Sequence, residues 1–332
     1  MRKIGFAIVV FLAIAVIILS FGELETILET LRRARTRYLL LALLLQGAWF
    51  LVCGKTYHSL YRILGVKDSL GNLTLLSAAA NFINVVTPSG GMGGFAVFID
   101  DARSRGRSPG KATIASMLFL FFDYLAFLFV LTVGLYVIAG RQDLQPSEIA
   151  ASIIMLAIAT GLGVTLYLGA VSGDRLGNFL AGMARLVNRV VHPFIHRNYL
   201  SEEHAQEFAH EMAQDLKVLP HRALGLILPL SYSFAGKALM ILILAASFMC
   251  FGAPFNAGTV IGGFAIAYLF LVVSPTPSGI GIVEGILPLA LSSLRVEWSQ
   301  AVIVTLTYRF VTFWIPFGVG ALALRALHTD RD

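Results

Sequence analysis

The sequence predicts an all-α polytopic membrane protein, a bundle of about six spanning helices plus two re-entrant helical hairpins, and three observations predict it. The chain of 332 residues is 57% hydrophobic and only 13% charged, with a mean hydropathy of +0.80. A composition this apolar needs lipid around it. Long apolar segments run over residues 4–20, 38–64, 111–139, 149–171, 222–250 and 299–326, each near or above the about 20 residues that cross a bilayer as a helix. Two further apolar segments, 70–99 and 258–294, are interrupted at their centres by glycine and proline.

Each element follows in chain order. Arg2 and Lys3 precede the first apolar run, and no small-x-small cleavage site follows it, so it reads as an uncleaved first span rather than a secretory leader. Leu24, Ile27, Leu28 and Leu31 then make a helical stripe, with Glu29 in reach of Arg32 and Arg33, which predicts a helix lying in the membrane interface. The four long runs after it carry few charges and read as spans. Residues 173–220 form the extended polar insertion. There Ser201 with Glu202 and Glu203 makes a helix start, Phe208, Met212, Leu216 and Leu219 form one apolar face, and Pro220 ends it. This predicts a cytoplasmic amphipathic connector. The last run is the final span, and the whole of 1–332 is a single transmembrane domain.

Backbone freed by Gly and Pro cannot face hydrocarbon, so a break at membrane depth is buried in protein or lines a wet cavity. The two interrupted segments are therefore read as hairpins that enter and leave on one side. The basic residues test this. With the amino terminus in the cytoplasm, Lys67, Arg103, Arg105, Arg107, Lys111, Lys217, Arg222 and Arg325 all fall inside. Arg32, Arg33, Arg35, Arg37, Arg141 and Arg295 fall outside, and the opposite orientation misplaces more charges. The expectation is cytoplasmic amino and carboxyl termini in a multi-pass protein.

Both breaks carry Thr-Pro-Ser-Gly: Thr87, Pro88, Ser89 and Gly90 in the first, followed by Gly91, Gly93 and Gly94, and Thr276, Pro277, Ser278 and Gly279 in the second, followed by Gly281. Each break also follows a span with a Gly-Lys pair, Gly54-Lys55 and Gly236-Lys237. The order span, hairpin, span recurs over about 38–139 and 222–326, which predicts an inverted-topology repeat whose breaks meet near the midplane and mark a binding site. The half-helices that resume after the breaks would offer unpaired N–H groups and a positive dipole end to phosphate or carboxylate, with Thr87, Ser89, Thr276 and Ser278 adding hydroxyls.

Ionisable residues inside spans are costly and face a partner or a wet cavity. Four are present: Asp123, Lys237, Glu284 and Arg309. Arg309 and Lys237 are candidates to recognise an anionic headgroup, with Glu284 holding Arg309 in place or reading a cationic moiety. The rival reading pairs Glu284 with Arg309 and Asp123 with Lys237 for bundle stability alone, and for Asp123 the structural or coupling role is preferred. Asn81 and Asn84 are candidates to line the cavity, the alternative being that they only bond across helices. Cys53 and Cys250 sit in apolar runs and make no metal or disulfide pattern. The seven histidines lie outside the breaks, with no Ser-His or metal set at membrane depth. No metal, cofactor or nucleic-acid partner is expected, since the net charge of +6 sits at segment ends.

The run from Asn81 through Asn84 and Thr87 to Gly94 resembles the Asn-containing helix and Pro-Gly turn of the lysylphosphatidylglycerol synthase transmembrane family. Residues 276–284 resemble its second Pro-Gly-x-Gly-x-x-Glu signature, and Tyr308-Arg309 its arginine in the last helix. The match covers essentially the whole chain. It implies a prokaryotic inner-membrane, flippase-like module that is a transporter and not a chemical catalyst, here without the soluble synthase. The implied substrate is a membrane phospholipid or other lipid with an anionic or phosphate-containing headgroup; a homo-oligomer is left open. The alternative is an ion-coupled secondary transporter of a small polar solute.

Overall fold

Short polar side chains at the ends of the apolar segments set where the helices begin. The structure, a computed structural model, describes residues 30–87, 92–140, 146–182, 224–274 and 276–329, together with positions 185, 213, 215 and 216. Helix α1 is Thr36–Ile63. Ser69 caps α2, Leu70–Val86, its hydroxyl accepting from the Asn72 N–H at 3.1 Å. Helix α3 is Phe95–Ser104. Ser108 caps α4, Pro109–Ala139, with proline in the first turn where no intrahelical N–H is needed. Helix α5 is Pro146–Val171 and α6 is Ile227–Phe251. Asn256 caps α7, Ala257–Val273, by accepting from the Thr259 N–H at 3.0 Å. Helix α8 is Ile282–Ser293 and α9 is Trp298–Arg309. A π-turn, Phe310–Trp314, leads into α10, Ile315–Thr329.

The protein is thus an all-helical membrane bundle, with no strand among the described residues. Five stretches are long and apolar enough to cross a membrane: α1, α4, α5, α6 with its preceding turn, and the continuous α9–α10 rod. The expected first span at 4–20, the interfacial stripe at 24–31 and most of the insertion at 173–220 lie outside the described residues. Of that insertion, residues 173–182 are helical. Leu176 and Leu216 are buried in one cluster with Leu166 of α5. Helices α2 and α7 each have 17 residues, about 25 Å of helix, which is short of the about 30 Å hydrocarbon thickness.

Both interrupted segments fold back on themselves. After α3, the Arg105 guanidinium donates to Asn72 Oδ1 at 3.1 Å and Arg107 pairs with Asp68, so the chain returns to where α2 began. In the second segment Leu294, just past α8, packs at Gly262 in the first turns of α7. The element order long helix, 17-residue helix, break, short helix, long helix therefore occurs twice, over α1–α4 and α6–α10.

Packing follows the same correspondence. The most extensive contact is α1 with α6, and these run antiparallel. Arg35 donates its N–H to the Cys250 carbonyl at one end, Trp49 lies against Gly236 in the middle, and Ile63 lies against Gly225 at the other end. Helix α2 packs on α10, and its counterpart α7 packs on α4. Exchange of the two units thus carries each contact into another. One apolar core, including Phe127, Ile243, Phe264, Leu287 and Val304, joins α4 to the second unit. A second, including Leu60, Leu73, Phe98 and Ile114, joins α1–α4.

Candidate functional site

A cavity of about 230 Å3 lies where the two breaks meet, with walls from α1, α2, α4, α6, α7, α9 and the connecting turns. In the first break the chain leaves α2 at Thr87 and resumes helix at Phe95. The Asn84 carboxamide oxygen accepts from the Gly94 N–H at 2.6 Å, spanning the break and occupying one of the free donors that start α3. Gly94 is required by close approach: a Cβ there would stand 2.9 Å from the Ala80 Cβ and 3.0 Å from the Ala80 carbonyl oxygen.

Hydroxyls and an ion pair lock the second break. Ser274 and Thr276 share a hydrogen bond of 2.7 Å, the Thr276 N–H donates to Ser274 Oγ at 3.0 Å, and the Thr276 hydroxyl donates to the Ile280 carbonyl at 3.0 Å. Ser278 has φ 48 and Gly281 φ 77, so the chain turns through left-handed backbone before α8. The Gly281 N–H donates to Glu284 Oε2 at 2.9 Å, which puts a carboxylate in the first turn of α8, where the helix dipole favours it. The other oxygen of Glu284 accepts from Arg309 Nε, while Arg309 Nη2 donates to the Ser278 carbonyl at 3.3 Å. The guanidinium also lies 4.6 Å from the Phe313 ring centroid. Arg309 is 2% exposed, yet it lines the cavity.

The second charged pair ties the units together. Lys237 Nζ lies 2.7 Å from Asp123 Oδ1 and 2.8 Å from Oδ2, and the Tyr268 hydroxyl donates to Oδ2 at 2.7 Å. Lys237 also sits 3.7 Å from the centroid of the Tyr268 ring. Asp123 forms part of the cavity wall, with its side chain 23% exposed, whereas Lys237 stands behind it. The four charges of the two pairs sum to zero: two basic, Lys237 and Arg309, and two acidic, Asp123 and Glu284.

Of the residues singled out in the sequence, the structure brings Asn81, Asn84, Thr87, Gly94, Asp123, Thr276, Ser278 and Arg309 to the cavity wall. Lys237 and Glu284 stand one layer back as the ionic partners of wall residues, and Gly281 starts the helix that carries Glu284. Gly93, Pro277 and Gly279 belong to the turns and not to the wall. Pro88, Ser89, Gly90 and Gly91 lie outside the described residues. Ser77, Asn81 and Asn84 share one face of α2, and the Asn81 side chain makes no hydrogen bond among the described residues.

Sequence reasoning missed most of the aromatic part of the wall, Trp49, Tyr57, Phe119, Tyr124 and Tyr268. Tyr268 carried a signal, as one of few polar groups within an otherwise apolar 17-residue helix. Among the described residues no group of three or more His, Cys, Asp and Glu side chains is placed to hold a metal ion.

The family model described as Lysylphosphatidylglycerol synthase TM region matches residues 4–320. The chain is 24% identical over 329 residues to a UPF0104 membrane protein of Methanothermobacter thermautotrophicus, covering 95% of this chain and 92% of that protein. It is 24% identical to a UPF0104 membrane protein of Methanocaldococcus jannaschii, with 95% and 92% covered, and 25% identical to one of Pyrococcus horikoshii, with 95% and 94% covered.

Proposed function

The chain belongs to the Lysylphosphatidylglycerol synthase TM region family, and from that premise we propose that it is a lipid translocase of the prokaryotic cytoplasmic membrane. Its substrate is a lipid with an anionic or phosphate-containing headgroup, whose acyl chains remain in the bilayer while the headgroup passes between the two breaks. One observation carries the reading: both breaks face one cavity at the junction of the two units, and among its largely apolar and aromatic walls stand Arg309 and Asn81. A guanidinium reads phosphate by geometry as well as charge.

The arrangement in the membrane belongs to the same reading. The two folded-back segments are re-entrant hairpins that enter from opposite sides, and the units are an inverted repeat. The antiparallel course of α1 and α6 supports this, as does the interchange of the α2–α10 and α7–α4 contacts. Both termini are cytoplasmic. The pairs Glu284–Arg309 and Asp123–Lys237 hold charge at depth without net cost to the field of the cavity, so a headgroup meets preorganised groups.

The test is translocation in proteoliposomes. Acyl-labelled phosphatidylglycerol in the inner and outer leaflets is distinguished by a membrane-impermeant quencher. Faster exchange with wild-type protein than with the folded Asn81→Ala variant is expected. Lipid exchange equal to that of protein-free vesicles, together with uptake of a small polar solute, would replace this reading with the solute carrier.

A further inference from the structure

A basic groove separate from the cavity lies where the carboxyl-terminal part of α1 meets the start of α6. It measures about 420 Å3 and is walled by Lys55, His58, Ser59 and Arg62 of α1 with Leu228 and Tyr232 of α6. On the outer face of α1, Leu40, Leu44, Leu51, Lys55, His58 and Arg62 follow one another at steps of four, seven, four, three and four. Such steps place them in one straight stripe along the helix. The stripe begins apolar and ends basic. Leu44 is 73% exposed, and across the groove Leu224 is 84% and Leu228 51% exposed. Surfaces of this kind on a spanning helix face lipid.

Lys55 lies two turns inside a stretch long and apolar enough to cross the membrane, where an ammonium is costly unless an anion meets it. Among the described residues, no ion pair engages it. Its four-carbon stem can lie along the apolar wall while its head reaches the rim. We propose that this groove is a binding site for an anionic phospholipid of the surrounding bilayer. Lys55 and His58 hold the phosphate and the acyl chains follow Leu51 and Leu44. The apolar half of the stripe argues for a lipid over a soluble anion, and basic pockets between spanning helices are suited to anionic headgroups. Because the groove joins α1 to α6, the first helices of the two units, a lipid seated there fastens the units together. The site is independent of the cavity and of the function proposed for it.

Native mass spectrometry and thermal unfolding in micelles doped with phosphatidylglycerol test this. Wild type is expected to retain phosphatidylglycerol and to gain thermal stability from it. Lys55→Gln weakens retention about fivefold, as expected for one basic side chain at an anionic surface. Lys55→Arg preserves retention, and Lys55→Gln lowers retention by the same factor in the Asn81→Ala background as in wild type, which separates the two sites. Phosphatidylcholine and millimolar sodium phosphate do not substitute. Equal retention by wild type and Lys55→Gln, or competition by sodium phosphate as strong as that by phosphatidylglycerol, would overturn the proposal.

Discussion

Replacing Arg309 by methionine removes the ion pair and the hydrogen bond that tie the second break to the last helix, and the structure allows its cost to be worked out. The guanidinium is 97% buried by side chain, donates to Glu284 and to the Ser278 carbonyl, and lies against Phe313. Breaking a buried pair by removing one partner costs about 3–5 kcal/mol, because the other charge is left uncompensated. Glu284 keeps its bond from the Gly281 N–H and is 14% exposed, so the lower end, about 3 kcal/mol, is expected here. Adding Glu284→Gln to Arg309→Met removes the orphaned charge and restores most of that stability. Thermal unfolding of wild type, both single variants and the double variant forms a complete cycle. The same four proteins in proteoliposomes report function. The double variant is expected to be folded yet inactive, because the cation that reads phosphate is gone. A fully active double variant, or an Arg309→Met variant as stable as wild type, would refute the reasoning.

The two asparagines of α2 separate structure from function. Asn84→Ala removes the cap on Gly94 and is expected to cost about 1 kcal/mol in unfolding, whereas Asn81→Ala leaves unfolding unchanged and slows lipid exchange. Gly94→Ala drives a methyl into Ala80 and is expected to destabilise by about 1–3 kcal/mol. Gly281→Ala meets open space but keeps the φ of 77, and is expected to cost only about 1–2 kcal/mol. Asp123→Asn leaves Lys237 buried without its carboxylate and is expected to destabilise, with Lys237→Met added to it restoring unfolding temperature. Single cysteines at Ser104 and Phe255 are expected to react with impermeant maleimide only from the cytoplasm and only from outside, respectively.

Much of this architecture was legible because membrane sequences have few ways to hide polar groups. The Gly and Pro clusters at 87–94 and 274–281 had to interrupt helices, and the structure ends α2 at Val86 and α7 at Val273. Asp123, Lys237, Glu284 and Arg309 stood out as charges within apolar runs, and the structure pairs them. Which member of each pair faces the cavity was not legible. Asp123 and Lys237 sit on different helices, and only their packing decides that the aspartate forms the wall while the lysine lies behind it. The hydroxyl of Thr276 is in the turn, as its position implied, but it is engaged with the turn's own backbone. The aromatic wall was hidden for a different reason. Aromatic residues occur throughout apolar helices, so Trp49 or Phe119 carries no mark in sequence that distinguishes cavity from core.

The claim that a lipid headgroup enters the cavity is tested most directly by placing a photoreactive benzophenone amino acid at Asn81 and irradiating the protein in native membranes. The account predicts a covalent phospholipid adduct whose fragmentation places the link on the headgroup. Absence of any lipid adduct at position 81, with acyl-chain adducts still formed from the exposed Leu156 on α5, would contradict it.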